Sequence, residues 1–125
     1  MVDMKERALL NVTEKTLENR WLKLELDTKT GWIKSLIDKC LRINVFNGLS
    51  GIPIVISDPS DTWGHGVSKF SEEIGRFQNP LIKIVEKGPI RARIRVKTTY
   101  RSSTLVQDMI MYRDLDFIEC RIKLN

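Results

Sequence analysis

At 125 residues, 42% of them hydrophobic and 30% charged, the chain is one domain's worth of ordinary globular sequence. No apolar run approaches the roughly 18–20 residues that cross a bilayer, and the opening MVDMKERALL lacks an apolar stretch of signal length. A cytoplasmic protein without a membrane partner is therefore expected. The net charge of +5 is local: residues 83–101 hold seven basic side chains and one acid, Glu86, so this segment carries +6 and the rest sums to −1.

Residues 1–16 read as a lead-in. Period-two alternation then begins, with Leu22, Leu24 and Leu26 on one face of WLKLELD and Lys23 and Glu25 on the other. DTKTG supplies a turn in which Gly31 is free to take positive φ, and WIKSLID returns as a second strand, so residues 20–39 are expected to form an antiparallel hairpin. GIPIVISDP is a short apolar run stopped by Pro59, expected as a buried strand near an edge. Residues 57–80, rich in Ser, Gly, Asp and Pro, read as one loop, longer than connections in compact domains usually are.

The last third alternates most clearly. Ile90, Ala92, Ile94 and Val96 face one way, while Arg91, Arg93, Arg95 and Lys97 face the other. TLVQDMIMY follows after RSS, and FIECRIKLN after RDLD, with Ile118, Cys120, Ile122 and Leu124 on one face of the final strand. Strands with one wet and one dry face form an antiparallel meander over residues 81–125. The expected fold is a single all-β domain, an antiparallel β-sandwich. Its last strand still alternates at Asn125, which reads as a cut edge and predicts pairing with a second copy to form a homodimer.

Only three Cys and His residues exist, Cys40, His65 and Cys120, fewer than the four ligands of a structural zinc site, so no metal or other cofactor is expected in this chain. The two cysteines are expected as buried free thiols. The densest polar stretch is DPSDTWGHGV. Asp58 and Asp61 could approach each other as the carboxylate pair of a glycosidase, but loop carboxylates beside Pro and Gly are more often turn formers. Trp63 offers a flat face to a sugar ring, and Asp61 and His65 offer hydrogen bonds to its hydroxyls. Against this stands the plainer reading that Trp63 plugs the end of the sandwich and His65 is solvated. GHG is not a phosphate-binding glycine motif, and no catalytic residue is assigned.

The arginine row has three readings. It is a solvated face paired with acids on neighbouring strands, Asp108 and Glu119; a contact surface for another domain; or, with the least support because no aromatic residues interleave it, a nucleic-acid surface.

LENRWLKLELDTKTGWIKSLIDK resembles the opening of the C-terminal β-sandwich region of family 38 glycoside hydrolases, the α-mannosidases. The similarity rests on Leu17, Glu18, Asn19, Asp27, Thr30, Gly31, Leu36, Asp38 and Lys39. Further on it rests on Gly88, Pro89, Arg91, Ala92, Tyr100, Ser103, Thr104 and Gln107. The resemblance implies a sandwich related in fold to galactose mutarotase, shorter here than the whole region. It also implies a non-catalytic part of an enzyme, whose zinc and nucleophilic Asp belong to an N-terminal catalytic domain with no counterpart in this chain. The partners it implies are that catalytic domain and mannose-containing sugars, met through Asp61, Trp63 and His65. A free-standing carbohydrate-binding module is the alternative.

Overall fold

The computed structural model describes residues 9–58 and 72–125. Five strands form the first sheet in sequential order: β1 (Leu10–Val12), β2 (Thr16–Asn19), β3 (Leu22–Leu26), β4 (Ile33–Asp38) and β5 (Ile43–Asn44). A short ribbon follows, β6 (Ile54–Ile56) with β7 (Glu73–Arg76). The second sheet is built from β8 (Gln78–Lys87), β9 (Arg91–Tyr100), β10 (Ser103–Tyr112) and β11 (Ile118–Leu124), in the order β11-β10-β9-β8. Every pairing is antiparallel, and the two large sheets face each other as a β-sandwich.

Alternation decides which side chains enter the core. Leu24 and Leu26 of β3 meet Ala92, Ile94 and Val96 of β9 and Met109 and Met111 of β10, all fully or almost fully buried. Removing each such aliphatic side chain from water stabilises the fold by roughly 1.5–3 kcal/mol, so this layer supplies the main driving force. Leu10 and Leu17 complete it. They stand on β1 and β2, so residues 10–12 of the expected lead-in are a paired strand that covers the core beside β9.

The expected hairpin of residues 20–39 forms as β3–β4. Its turn is closed by Asp27, whose backbone N–H donates to Trp32 O at 2.8 Å and whose O accepts from Gly31 N at 2.7 Å. Gly31 has φ +78°, and a Cβ there would stand 2.6 Å from Val96 Cγ1 and 3.0 Å from Pro80 Cβ. Glycine therefore meets two needs at once, the left-handed turn and the close seat of the turn on the second sheet.

Three expectations change. The run Ile54–Ile56 is not a buried strand: it lies in the two-stranded ribbon, and Ile54 and Ile56 are 43% and 38% exposed. The long loop expected over residues 57–80 contains β7 and the start of β8, because Ile54 pairs with Arg76 and Gln78 pairs with Thr99. The final strand pairs with β10 along its length, but Ile122 and Leu124, expected on the dry face, are 63% and 66% exposed. The first sheet does not reach far enough across to cover them. Among the described residues, no helix is long and apolar enough to cross a membrane.

Candidate functional site

Asp61, Trp63 and His65 lie outside the described residues, as does most of DPSDTWGHGV. What the structure defines are the strands that flank that segment in the sequence. In sequence β6 precedes it and β7 follows it, and Ser57 N donates to Glu72 O at 2.7 Å. The base of the ribbon is fastened by Phe77 N donating to Pro53 O at 3.0 Å and by the Phe77 ring against Tyr100, with centroids 5.9 Å apart. Gly75 lies flat on the Tyr100 ring, where any Cβ would collide with it. The Arg76 guanidinium sits 5.3 Å from the Trp32 ring centroid and donates from Nε to Glu73 Oε2 at 2.8 Å.

Two shallow hollows flank this base. One of about 270 Å³ runs between the Asp27–Trp32 turn and the start of β8, with Thr30, Trp32, Phe77, Gln78 and Asn79 on its walls. The other, about 320 Å³, lies on the opposite side of Gln78 and Asn79, against Arg76, Tyr100 and Arg101. Asn79 adopts φ +58°, a left-handed conformation that asparagine tolerates better than most non-glycine residues. The Trp32 Nε1–H is buried without a partner among the described residues. Rings, side-chain amides and guanidinium groups around a shallow hollow are the chemistry that binds polyhydroxylated ligands.

The outer face of the second sheet carries the arginine row as a layer of ion pairs. Arg95 binds Asp108 through two bonds of 2.9 Å, Nε to Oδ1 and Nη2 to Oδ2. Arg91 Nε donates to Glu86 Oε2 at 2.9 Å, and Arg93 lies between the two acids with its Nε 3.7 Å from each. The expected partner Asp108 is thus correct for β9. Glu119 is not the second partner, because it stands on β11, one strand farther out, where it accepts from Tyr112 Oη at 2.8 Å and Arg121 Nε at 3.0 Å. Glu86 on β8 takes that place, and those two bonds hold the Glu119 carboxyl below the ordinary glutamate range. Ile110 lies in the same face between Arg93 and Glu119 and is fully buried, shielded by the stems of its long neighbours.

On the inner side, where the first sheet stops short of β11, an apolar cleft of about 490 Å³ opens between Leu36, Phe46, Leu105, Met109, Ile118 and Ile122. Cys120 lines it too. Cys40 and Cys120 are both free, as expected, but exposed rather than buried. Cys40 sits in the turn after β4, and Cys120 on a strand that the first sheet leaves uncovered. Burial of the Cys120 thiol against the cleft wall, with the Asp108 charge near it, pushes its pKa up. Among the described residues, no group of three or more His, Cys, Asp or Glu side chains is placed to hold a metal ion.

Set against protein families, residues 17–125 match the model of the glycosyl hydrolases family 38 C-terminal domain. The chain belongs to that family. Compared with curated proteins, the sequence finds no match.

Several of the residues on which the likeness to family 38 rests, among them Asn19, Asp27, Gly31, Asp38 and Lys39, build corners of the first sheet. Asn19 is fully buried and makes four hydrogen bonds: Nδ2 donates to Tyr112 O and Leu115 O, both at 2.8 Å, and Oδ1 accepts from Trp21 N and Leu22 N, both at 2.9 Å. It ties the β2–β3 corner of the first sheet to the β10–β11 connection of the second. Lys39 donates to Asn19 O at 2.7 Å and pairs with Glu18 at 2.5 Å, while Asp38 Oδ1 receives the N–H groups of Cys40 and Leu41 at 3.0 Å. Residues at hairpin turns signal a turn in the sequence, but nothing there signals that Asn19 reaches across to the other sheet.

Proposed function

We propose that this family 38 C-terminal domain serves an α-mannosidase as a non-catalytic sandwich that supports the catalytic domain and lends it a wall of the sugar cleft. The observation that carries the reading is the family match over nearly the whole chain. The ribbon β6–β7 supports the sugar-facing part: its two strands flank in sequence the segment with Asp61, Trp63 and His65, and its base adjoins hollows edged by Trp32, Gln78, Asn79 and Tyr100. In this reading Trp63 supplies a stacking face and Asp61 and His65 supply hydroxyl partners, while bond cleavage and its zinc belong to the catalytic domain.

The test is hydrolysis of an aryl α-mannoside by this chain alone and by the enzyme that contains it, with Trp63→Ala and Asp61→Ala in each. The chain alone is expected to be inactive. In the whole enzyme, Trp63→Ala should raise KM by about tenfold or more, in line with the roughly 1–3 kcal/mol lost with an apolar contact. Turnover by the isolated chain refutes the non-catalytic part, and variants with wild-type KM and kcat refute the cleft-lining part.

A further inference from the structure

We propose that two copies of this chain pair through β11, antiparallel and in a single register, with Cys120 on the two-fold axis. The pairing uses only β11 and does not depend on the sugar-facing role of the ribbon.

The sheet edges are not equal. β1 and β5 are three and two residues long, too short to template another strand. β8 is long but blunted: it contains Pro80, which has no N–H to donate, and its register slips between Gln78 and Leu81 and again between Ile84 and Glu86. β11 has none of these defences. Its seven residues contain no Pro or Gly and run in unbroken register from Ile118, opposite Met111, to Leu124, opposite Leu105.

The free amides of β11 can be named. Asn125 and Thr104 exchange both backbone hydrogen bonds, at 2.8 and 2.9 Å. Alternation then turns the N–H and C=O groups of Glu119, Arg121 and Lys123 toward β10 and those of Ile118, Cys120, Ile122 and Leu124 toward the open side. Among the described residues no strand occupies that side. Of these, Ile118, Cys120 and Ile122 line the apolar cleft, and Ile122 and Leu124 are about two-thirds exposed.

Charge selects the register. Residues opposite each other on antiparallel strands share a face, so odd positions must meet odd and even must meet even. With Cys120 on the axis, Glu119 of each copy faces the partner's Arg121, and Ile118 faces the partner's Ile122. These Glu–Arg pairs fall at the non-hydrogen-bonded sites, where side chains approach most closely. Centring on Arg121 brings two Arg121 guanidiniums face to face at that spacing, and centring on Ile122 sets Arg121 against Lys123 twice. Centring on Glu119 sets two carboxylates together. Of the centrings that keep most of β11 paired, on Glu119, Cys120, Arg121 or Ile122, only the Cys120 register is free of a like-charge pair; centring farther toward either end leaves too few residues opposed. Because its two-fold axis is perpendicular to the sheet, both first sheets stay on one side, and the two apolar clefts meet across the junction.

The test uses the chain with Cys40→Ser, so that Cys120 is its only thiol. Light scattering over a dilution series reads the dimer, and mild oxidation with copper–phenanthroline reads the register. Cα atoms across a hydrogen-bonded pair lie about 5.5 Å apart, within disulfide reach, so oxidation is expected to give a Cys120–Cys120 dimer. Arg121→Glu should weaken association by about tenfold or more, and the doubly exchanged Glu119→Arg, Arg121→Glu chain should recover it, since the pairs are re-formed with their signs reversed. A chain that stays monomeric up to about 1 mM, the weak end of specific association, overturns the proposal. A dimer indifferent to both charge variants, or one that gives no Cys120 cross-link, overturns it equally.

Discussion

Replacing Asn19 by Ala is expected to be among the costliest single polar changes in the described sandwich. The side chain is fully buried and satisfied by four bonds of 2.8–2.9 Å that join the two sheets. A buried intramolecular hydrogen bond contributes about 1 kcal/mol net, but deletion also strands the partners. Tyr112 O and Leu115 O lose their donors, and Trp21 N and Leu22 N lose their acceptor, at a part-buried corner. The sum is about 3–5 kcal/mol, against a total stability of about 5–15 kcal/mol for a domain of this kind. Urea unfolding reads it directly: with a slope of about 2 kcal/mol per molar, the midpoint should drop by about 2 M at unchanged slope. Asn19→Asp should be nearly as harmful, because it keeps the acceptor but turns an oxygen toward two carbonyl oxygens. A loss under about 1 kcal/mol for Asn19→Ala would show that the corner does not hold the sheets together, and would refute the reasoning.

Gly31→Ala should lower the thermal midpoint more than Gly48→Ala: both residues have positive φ, but a Cβ at Gly31 meets Val96 at 2.6 Å and one at Gly48 meets nothing within 4 Å. A similar loss in both would assign the effect to the backbone alone. Asp108→Asn, at a buried carboxylate shared by Arg95 and Arg93, should cost more stability in urea than Glu73→Gln, whose pair with Arg76 is well exposed. The Glu119 carboxyl is depressed in the folded state, chiefly by the Tyr112 hydroxyl and next by Arg121. Its stabilising contribution is therefore fully present above the unfolded value of 4.5 and is lost as pH falls from there through the lower folded value. Tyr112→Phe should raise the Glu119 pKa in a carbon-detected NMR titration and flatten that acid limb; an unmoved Glu119 pKa would count against the Tyr112 bond.

Sequence by itself determined the elements whose two faces differ. Leu24 and Leu26, and Ala92, Ile94 and Val96, alternate with charged residues, and a period of two has one solution once a core exists: these side chains go in and the arginines stay out. The turn at Asp27 and Gly31 was legible for a similarly local reason, since its hydrogen bonds and its positive φ lie within a few residues of one another. The family likeness was legible because it rests on short local stretches, such as residues 17–19 and 27–31, that stand in order along the chain.

Tertiary structure alone decided the rest, wherever the deciding partner is far along the chain. Whether an apolar face is covered depends on how far the opposite sheet extends, so Ile122 and Leu124 are exposed although they alternate as faithfully as Ile94 and Val96. Strand order made Glu86, not Glu119, the second acid of the arginine layer, because antiparallel neighbours are set by topology and not by distance in sequence. Residues 10–12 and 73–76 became strands only through partners that draw them out of an otherwise weak local pattern. Asn19 reads as an ordinary turn residue until the second sheet brings Tyr112 and Leu115 within 2.8 Å of it, across more than ninety positions of chain.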